Sequence, residues 1–121
     1  MVETHGLSHI SLAVADTQRS VDFYTRVFGV SEYYRDADQI QAKGPGPMDV
    51  LAFERNPQKA GTRAGIDHFG FRLKNAADIG RAVDEVLAAG GKLLRRGEFA
   101  PGFPFAYVSD PDGYEIEIWY E

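Results

Sequence analysis

The chain repeats one pattern twice, and this internal repetition limits its fold more than any other feature. In the first half, a run of alternating residues contains His9, and the segment 17–28 follows with helical spacing. In the second half, a similar run contains His68, the segment 75–89 has helical spacing, and Gly90-Gly91 ends it. Internal repeats indicate repeated structural units. We therefore expect two similar modules related by a pseudo-twofold axis, with His9 and His68 directed toward a shared cleft.

Size and composition narrow the class of protein. A chain of 121 residues can form one domain with a proper core, but it is too short for two independent domains. The net charge is −5, and no cluster of basic residues extends beyond Arg95-Arg96, so nucleic acid is not an expected partner. Because the chain has no cysteine, thiolate metal sites, disulfides and thiol nucleophiles are excluded.

The N-terminal residues lead directly into the first alternating run. They contain neither a basic start followed by an apolar stretch nor a span long enough to cross a bilayer. We therefore expect a soluble cytoplasmic protein with no membrane partner. The predicted single domain, 1–121, divides into module one at about 5–55, a polar connector at about 56–65 and module two at about 66–121.

Period-two alternation predicts which side chains share a face of each strand. His9 shares its face with Ser11, whose small side chain leaves room for a ligand. His68 shares its face with Gly70, which leaves open space above the imidazole. In the last strand, Glu117 lies between large residues on both faces, so alternation leaves open which face is inside.

The helices and the final turn carry their own signals. Asp16 or Thr17 can cap the first helix, and Asn75 can cap the second. The predicted buried stripe of the second helix consists of Ile79, Val83, Val86 and Leu87. Asp110 and Asp112 are interpreted as turn formers whose carboxylates cap backbone amides.

Two histidines and one glutamate, His9, His68 and Glu117, form the predicted metal site. Imidazole and carboxylate donors together suit a borderline divalent ion such as iron(II), manganese, zinc or nickel. They match neither a soft thiolate site nor the all-oxygen cage that calcium prefers. The third histidine, His5, lies off this pattern and is interpreted as a structural or surface residue.

Three segments together resemble the glyoxalase, bleomycin-resistance and extradiol dioxygenase superfamily, also called the vicinal oxygen chelate superfamily. They are 8–14, 67–71 and above all 110–118, which reads Asp-Pro-Asp-Gly-Tyr-Glu-Ile-Glu-Ile. The resemblance covers nearly the whole chain. It implies an α+β fold in which two βαβββ modules form a cup-shaped, barrel-like mixed sheet with the helices outside. It also implies that His9, His68 and Glu117 hold the metal in the cup.

The resemblance implies a metal-dependent enzyme whose small substrate chelates the ion through oxygen atoms, with lyase, isomerase, dioxygenase and thiol-transferase reactions all open. Glyoxalase I enzymes place a fourth ligand where this chain has Ala52, and typical extradiol dioxygenases use a further histidine that this chain lacks. Both activities are therefore disfavoured. The alternative is a metal-free binding protein of the bleomycin-resistance type. An intact set of three ligands favours the enzyme.

Tyr107 and Glu54 are the candidate catalytic residues. The Tyr107 hydroxyl could donate to an oxyanion, with a core hydroxyl as the alternative, and Glu54 is the alternative base. The candidate substrate-binding residues are Ser11, Arg72, Tyr107 and Trp119. For Arg72, a salt bridge at the rim is the alternative to an anion clamp.

Relatives with this layout commonly exchange modules between chains. The resemblance therefore implies a homodimer in which His9 of one chain completes a site with His68 and Glu117 of the other. A closed twofold dimer is also the commonest homo-oligomer.

Overall fold

A computed structural model describes residues 1, 3, 5 and 7–121. Module one contains β1 (His9–Val14), α1 (Thr17–Phe28), β2 (Ser31–Arg35), β3 (Gln39–Lys43) and β4 (Val50–Arg55). Module two contains β5 (Phe69–Arg72), a 3-10 turn (Ala76–Asp78), α2 (Ile79–Ala88), β6 (Lys92–Glu98), β7 (Pro104–Ser109) and β8 (Glu115–Trp119). The predicted order βαβββ is confirmed in both halves.

Each module forms one four-stranded mixed sheet. The strand orders are β1-β4-β3-β2 and β5-β8-β7-β6, which are equivalent positions in the two modules. In each sheet the first and last strands of the module pair in parallel, and the remaining pairs are antiparallel. The predicted α+β class is confirmed, and the two sheets form a cup-like arrangement that does not close into a barrel.

The first helix begins and ends where its sequence signals lie. The Asp16 carboxylate accepts a hydrogen bond from the backbone N–H of Arg19 at 3.1 Å, which confirms Asp16 as the N-cap. Gly29 ends the helix in a left-handed conformation, with φ 67°, that a side chain would disfavour. The helix buries Ser20, Val21, Phe23 and Tyr24.

The second helix departs from its prediction at both ends. Asn75 precedes the 3-10 turn and makes no side-chain capping hydrogen bond, so the predicted cap is wrong. Val83 and Val86 are buried as predicted, whereas Leu87 is 50% exposed. Leu87 follows Val86 by one residue, which is about 100° around the helix, and this rotation takes it off the buried stripe.

The core lies between the two helices and the sheets, and both modules contribute to it. Phe28 of α1 stacks on Phe71 of β5, with ring centroids 3.8 Å apart. In β8, Ile116 and Ile118 are buried in this core. Glu117 and its neighbours on the same face therefore point away from the helices, which answers the question that alternation left open.

The turn between β7 and β8 is held by Asp110. One oxygen of its buried carboxylate accepts hydrogen bonds from the backbone N–H groups of Asp112, Gly113 and Tyr114, each at 2.9 Å. The other oxygen accepts one from the Tyr24 hydroxyl of α1, also at 2.9 Å. The predicted role as a turn former is confirmed, and the same carboxylate also binds module one.

Asp112 joins the modules a second time. Its carboxylate accepts hydrogen bonds from the Ala15 backbone N–H at 3.1 Å, the Arg19 guanidinium at 2.9 Å and the Ser20 hydroxyl at 3.3 Å. The Tyr114 hydroxyl donates to the backbone carbonyl of Ala13 at 2.8 Å. These contacts form what we call the inter-module joint, which fixes the end of β1 and the start of α1 against module two.

Within the described part of the chain, no helix is long and apolar enough to cross a membrane. The expectation that the N-terminal residues contain no signal-like or membrane-spanning stretch also rests on Val2, Thr4 and Gly6, which lie outside the described residues. The cytoplasmic location stays a prediction.

Candidate functional site

The concave face of module two brings together two of the predicted metal ligands. His68 immediately precedes β5, and Glu117 lies on β8 opposite Gly70 in the parallel register. The imidazole Nε2 of His68 lies 3.3 Å from Oε2 of Glu117, and both side chains are partly exposed to solvent. Metal–nitrogen and metal–oxygen bonds of about 2.0–2.2 Å place neighbouring ligands of one ion about 3 Å apart. This pair therefore fits two adjacent positions of a divalent metal.

The absence of a side chain at Gly70 allows β5 and β8 to approach closely beside this pair. A Cβ atom at Gly70 would lie 3.1 Å from the backbone oxygen of Glu117 and 3.5 Å from Nε1 of Trp119. The His68 side chain is 33% exposed beside this glycine.

Tyr107 completes this part of the site. It lies opposite Glu117 in the β7–β8 register, and its ring contacts that of His68 edge to face, with centroids 5.1 Å apart. Burial, followed by the hydrogen bond and charge of Glu117, raises the pKa of the Tyr107 hydroxyl above its ordinary value. The hydroxyl is therefore protonated at neutral pH and can donate a hydrogen bond.

The concave face of module one carries His9. Its Nδ1 lies 2.9 Å from the Ser8 hydroxyl, and the ring borders a hollow of about 370 Å³. Ser11, Ala52 and Glu54 border the same hollow, because β1 and β4 pair in parallel with Ser11 opposite Ala52. Glu54 is exposed there, on the same face as His9.

The three predicted ligands are not brought together within one chain. His9 lies on the first sheet, whereas the pair His68 and Glu117 belongs to the second. Among residues 1, 3, 5 and 7–121, no group of three histidine, cysteine, aspartate or glutamate side chains could hold a metal ion. Each module therefore presents part of the predicted site.

The other predicted substrate-binding residues of module two end two neighbouring strands: Arg72 ends the edge strand β5, and Trp119 ends β8. The Arg72 guanidinium donates a hydrogen bond to the backbone carbonyl of Glu121 and lies 5.6 Å from the ring centroid of Trp119. Arg72 is thus held by the C-terminal backbone and an aromatic face.

Sequence reasoning missed a charged cluster on this same face. Glu115, two residues before Glu117, is 7% exposed at its side chain and accepts ion pairs from Arg63 and Arg95. The Arg95 guanidinium lies 3.9 Å from the ring centroid of Tyr107. Alternation along the last strand places Glu115 on the same face as Glu117, but it does not identify the partners of Glu115. The partners of Glu115 depend on the register of β6, which has an irregularity between Leu93 and Arg95.

The chain belongs to the glyoxalase/bleomycin resistance protein/dioxygenase superfamily, whose family model matches residues 6–118. The resemblance inferred from the sequence motifs is therefore confirmed.

The relatives of this chain include a lyase and a dioxygenase. The chain is 31% identical to a lactoylglutathione lyase from Escherichia coli O157:H7, over 93% of this chain and 90% of that protein. It is 27% identical to a manganese-dependent 2,3-dihydroxybiphenyl 1,2-dioxygenase from Geobacillus genomosp. 3, over 93% of this chain and 36% of that protein. The chain spans about a third of the length of the longer relatives that it matches.

The fold also matches solved structures. One is a mutant of the fosfomycin resistance protein FosX from Listeria monocytogenes, in complex with Mn(II) and a dihydroxypropylphosphonic acid. It has a TM-score of 0.80 and 19% sequence identity, and the match covers 96% of this chain and 90% of that one. The similarity shows that the two chains share a fold.

Proposed function

We propose that this protein is a divalent-metal-dependent enzyme whose small substrate chelates the ion through oxygen atoms, with His9, His68 and Glu117 as the protein ligands. The observation that carries the proposal is the 3.3 Å separation of His68 Nε2 and Glu117 Oε2 on an open face beside Tyr107. Nitrogen and oxygen donors in this combination suit iron, manganese, zinc or nickel. When bound, such an ion supplies Lewis-acid stabilisation of negative charge on substrate oxygen.

The remaining polar groups of the two concave faces have defined roles in this proposal. The protonated Tyr107 hydroxyl donates a hydrogen bond to a substrate oxygen as negative charge develops on it. Glu54 is the candidate base from module one, because it borders the same hollow as His9. Ser11 lies between them on that face and is small enough to leave room for the substrate.

The reaction type stays open among lyase, isomerase, dioxygenase and thiol-transferase chemistry. Relatives named as a lactoylglutathione lyase and a dioxygenase support a reaction within this group. Ala52 offers no fourth ligand, and the chain has only three histidines. The proposal therefore does not favour glyoxalase I or a typical extradiol dioxygenase.

The proposal includes a homodimer with exchanged modules. Within one chain the inter-module joint holds the two halves of the site on separate sheets, so a complete site needs a second chain. Every residue of β2 and of β6 is exposed in the single chain, which leaves one edge of each sheet available for a partner. In a twofold dimer, module one of each chain faces module two of its partner.

Metal content tests the ligand assignment. Protein purified without chelator should hold about one divalent ion per complete site, and His68→Ala should abolish binding because it removes one of the donors. His5→Ala is the matched control, since His5 lies outside the proposed ligand set. Stoichiometric metal in His68→Ala, or none in the wild type after reconstitution, would contradict the assignment.

Turnover tests the role of Tyr107. Once an assay exists, Tyr107→Phe should lower the catalytic rate by roughly ten- to a thousandfold, the scale expected for the loss of one acid or oxyanion donor. Its metal content should stay unchanged, because the phenol is not a proposed ligand. An unchanged rate would remove Tyr107 from the chemistry.

A metal-free binding protein is the second candidate function. A groove of about 650 Å³ opens between the modules, and its lining is largely apolar, including Ile10, Val27, Phe28, Phe69, Phe71 and Leu73. Grooves of this size and character bind small apolar molecules in many proteins. A bidentate chelating probe separates the candidates, because it should change the spectrum of the cobalt-substituted protein only if the metal has exchangeable positions.

A further inference from the structure

The concave face of module two carries positive charge that the proposed metal site does not use. Glu115 is paired with two guanidinium groups, from Arg63 in the connector and from Arg95 of β6, the latter at 2.9 Å. The carboxylate is buried, whereas the Arg95 side chain is 57% exposed. Two cations thus share the one carboxylate of Glu115, so one positive charge is not balanced within this group of three side chains. A buried carboxylate beneath an exposed guanidinium holds the cation in place without covering it.

Arg95 lies in line with the proposed metal ligands. Arg95, Tyr107 and Glu117 are successive register partners on the neighbouring strands β6, β7 and β8. Neighbouring strands are about 4.8 Å apart, so the row from Arg95 to Glu117 spans about 10 Å of backbone. The guanidinium lies on the ring of Tyr107, and the His68 imidazole contacts the same ring. The ring of Tyr107 therefore lies between the Arg95 guanidinium and the two proposed metal ligands, His68 and Glu117.

The contact of Arg95 with the Tyr107 ring also reduces the loss of side-chain freedom that ligand binding would require of Arg95. A guanidinium held against an aromatic face and by a carboxylate has lost much of its side-chain freedom before a ligand arrives. Its planar array of N–H donors matches the oxygens of a carboxylate or a phosphonate. A purely structural arginine would make the same ion pair, so the distinction lies in whether the group recognises added negative charge.

We propose that Arg95, held in place by Glu115 and Arg63, binds an anionic group of the substrate. The substrate class is then a small molecule that chelates the metal through oxygens and carries a separate carboxylate or phosphonate a few bonds away. This inference rests on the proposed function, because it places the chelating oxygens at His68 and Glu117.

Two hydroxamate probes test the proposal on the cobalt-substituted protein. One is succinate monohydroxamate, which carries a carboxylate, and the other is the uncharged primary amide of the same length. The visible spectrum reports the affinity of each. We expect the carboxylate probe to bind about tenfold more tightly than the amide, as one charge-assisted hydrogen bond provides. The preference should shrink as salt is raised, because Arg95 is partly exposed.

Variants of two neighbouring arginines separate recognition from general charge. Arg95→Gln should reduce the ratio of the two affinities to about one, and Arg95→Lys should retain part of the preference. Arg96→Gln is the matched control: it removes the same charge from the same strand, but Arg96 is paired with the core residue Ala106 and so faces away from the cup. The control should keep the full preference. Thermal unfolding of each variant verifies that it is folded.

The outcomes distinguish this inference from the proposed function. Equal binding of the two probes to the wild type, or an undiminished preference in Arg95→Gln, would overturn the anion site and leave the metal site standing. Binding of neither probe would overturn the proposed function, and the anion site with it. A preference that Arg96→Gln loses as fully as Arg95→Gln would show long-range attraction rather than a site.

Discussion

The inter-module joint makes a strong prediction about stability, and Asp112→Ala is its sharpest test. The Asp112 side chain is 1% exposed and accepts hydrogen bonds from Ala15, Arg19 and Ser20, all in module one. Truncation to alanine removes all three contacts at once. Because these contacts bind one module to the other, we expect the substitution to weaken the whole domain.

The expected magnitude follows from the surroundings of each donor. Ser20 is fully buried, so its hydroxyl loses a partner that water cannot replace, at a cost of about 1–3 kcal/mol. The exposed backbone N–H of Ala15 can bind water instead, and the half-exposed Arg19 contributes less than about 1 kcal/mol. The sum is about 1–4 kcal/mol in the free energy of unfolding, and the loss at Ser20 is the largest part of it.

Urea unfolding at fixed protein concentration measures this change. Asp112→Asn keeps one acceptor oxygen and should lose about half as much stability as Asp112→Ala. Asp38→Ala is the control, because its side chain is 80% exposed and its pair with Arg55 spans 3.5 Å. It should change stability by less than about 0.5 kcal/mol. If Asp112→Ala costs no more than Asp38→Ala, the joint does not stabilise the domain and the reasoning is wrong.

Two further predictions concern buried packing. Burial, with the charge of Asp110, raises the pKa of Tyr24 well above its ordinary value of 10.0. The protonated Tyr24 hydroxyl therefore contributes its full stability to the fold below pH 10.0, and this contribution is lost as the pH rises above that value. Tyr24→Phe should reduce stability by about 1–2 kcal/mol at neutral pH and lessen the alkaline loss, as melting temperatures across the range would show; an identical alkaline loss in the variant would contradict this. Gly91→Ala should destabilise by about 1–3 kcal/mol, because its Cβ would lie 2.4 Å from the Ser109 carbonyl oxygen. Gly80→Ala in α2 should instead stabilise slightly in the same unfolding assay, because an added Cβ would meet no other atom within 4 Å beyond its chain neighbours and the adjacent helix backbone. A loss in both variants would point to general intolerance of substitution.

Local signals predicted much of module one. The bounds of α1 match the predicted 17–28, because Asp16 and Gly29 end the helix through their own backbone and side-chain geometry. The faces of β1 also follow alternation: Leu12 and Val14 are buried, whereas His9 is exposed. These features depend on neighbours in sequence, which a single chain displays directly.

Features that depend on the register between strands far apart in the sequence were harder to predict. The approach of His68 to Glu117 follows from the parallel pairing of β5 with β8. The family resemblance implied that the two residues meet, but alternation along each strand does not indicate this pairing. The contacts of Arg95 required the register of β6, where an irregularity shifts the pairing. The prediction that Leu87 is buried was wrong for a related reason, since the width of the buried stripe depends on what packs against α2. Whether one chain or two would build the proposed metal site depends on the inter-module joint, which alternation cannot predict.

Mixing two inactive variants tests the central claim most directly. His9→Ala and Glu117→Ala each lack one proposed ligand, and each homodimer should be free of metal. After co-refolding, a heterodimer with exchanged modules unites His9 of one chain with His68 and Glu117 of the other, which restores one complete site. Metal analysis of the separated heterodimer should therefore find one bound ion per dimer. If the mixed chains stay metal-free in every preparation, the site is not shared between chains and the account is wrong.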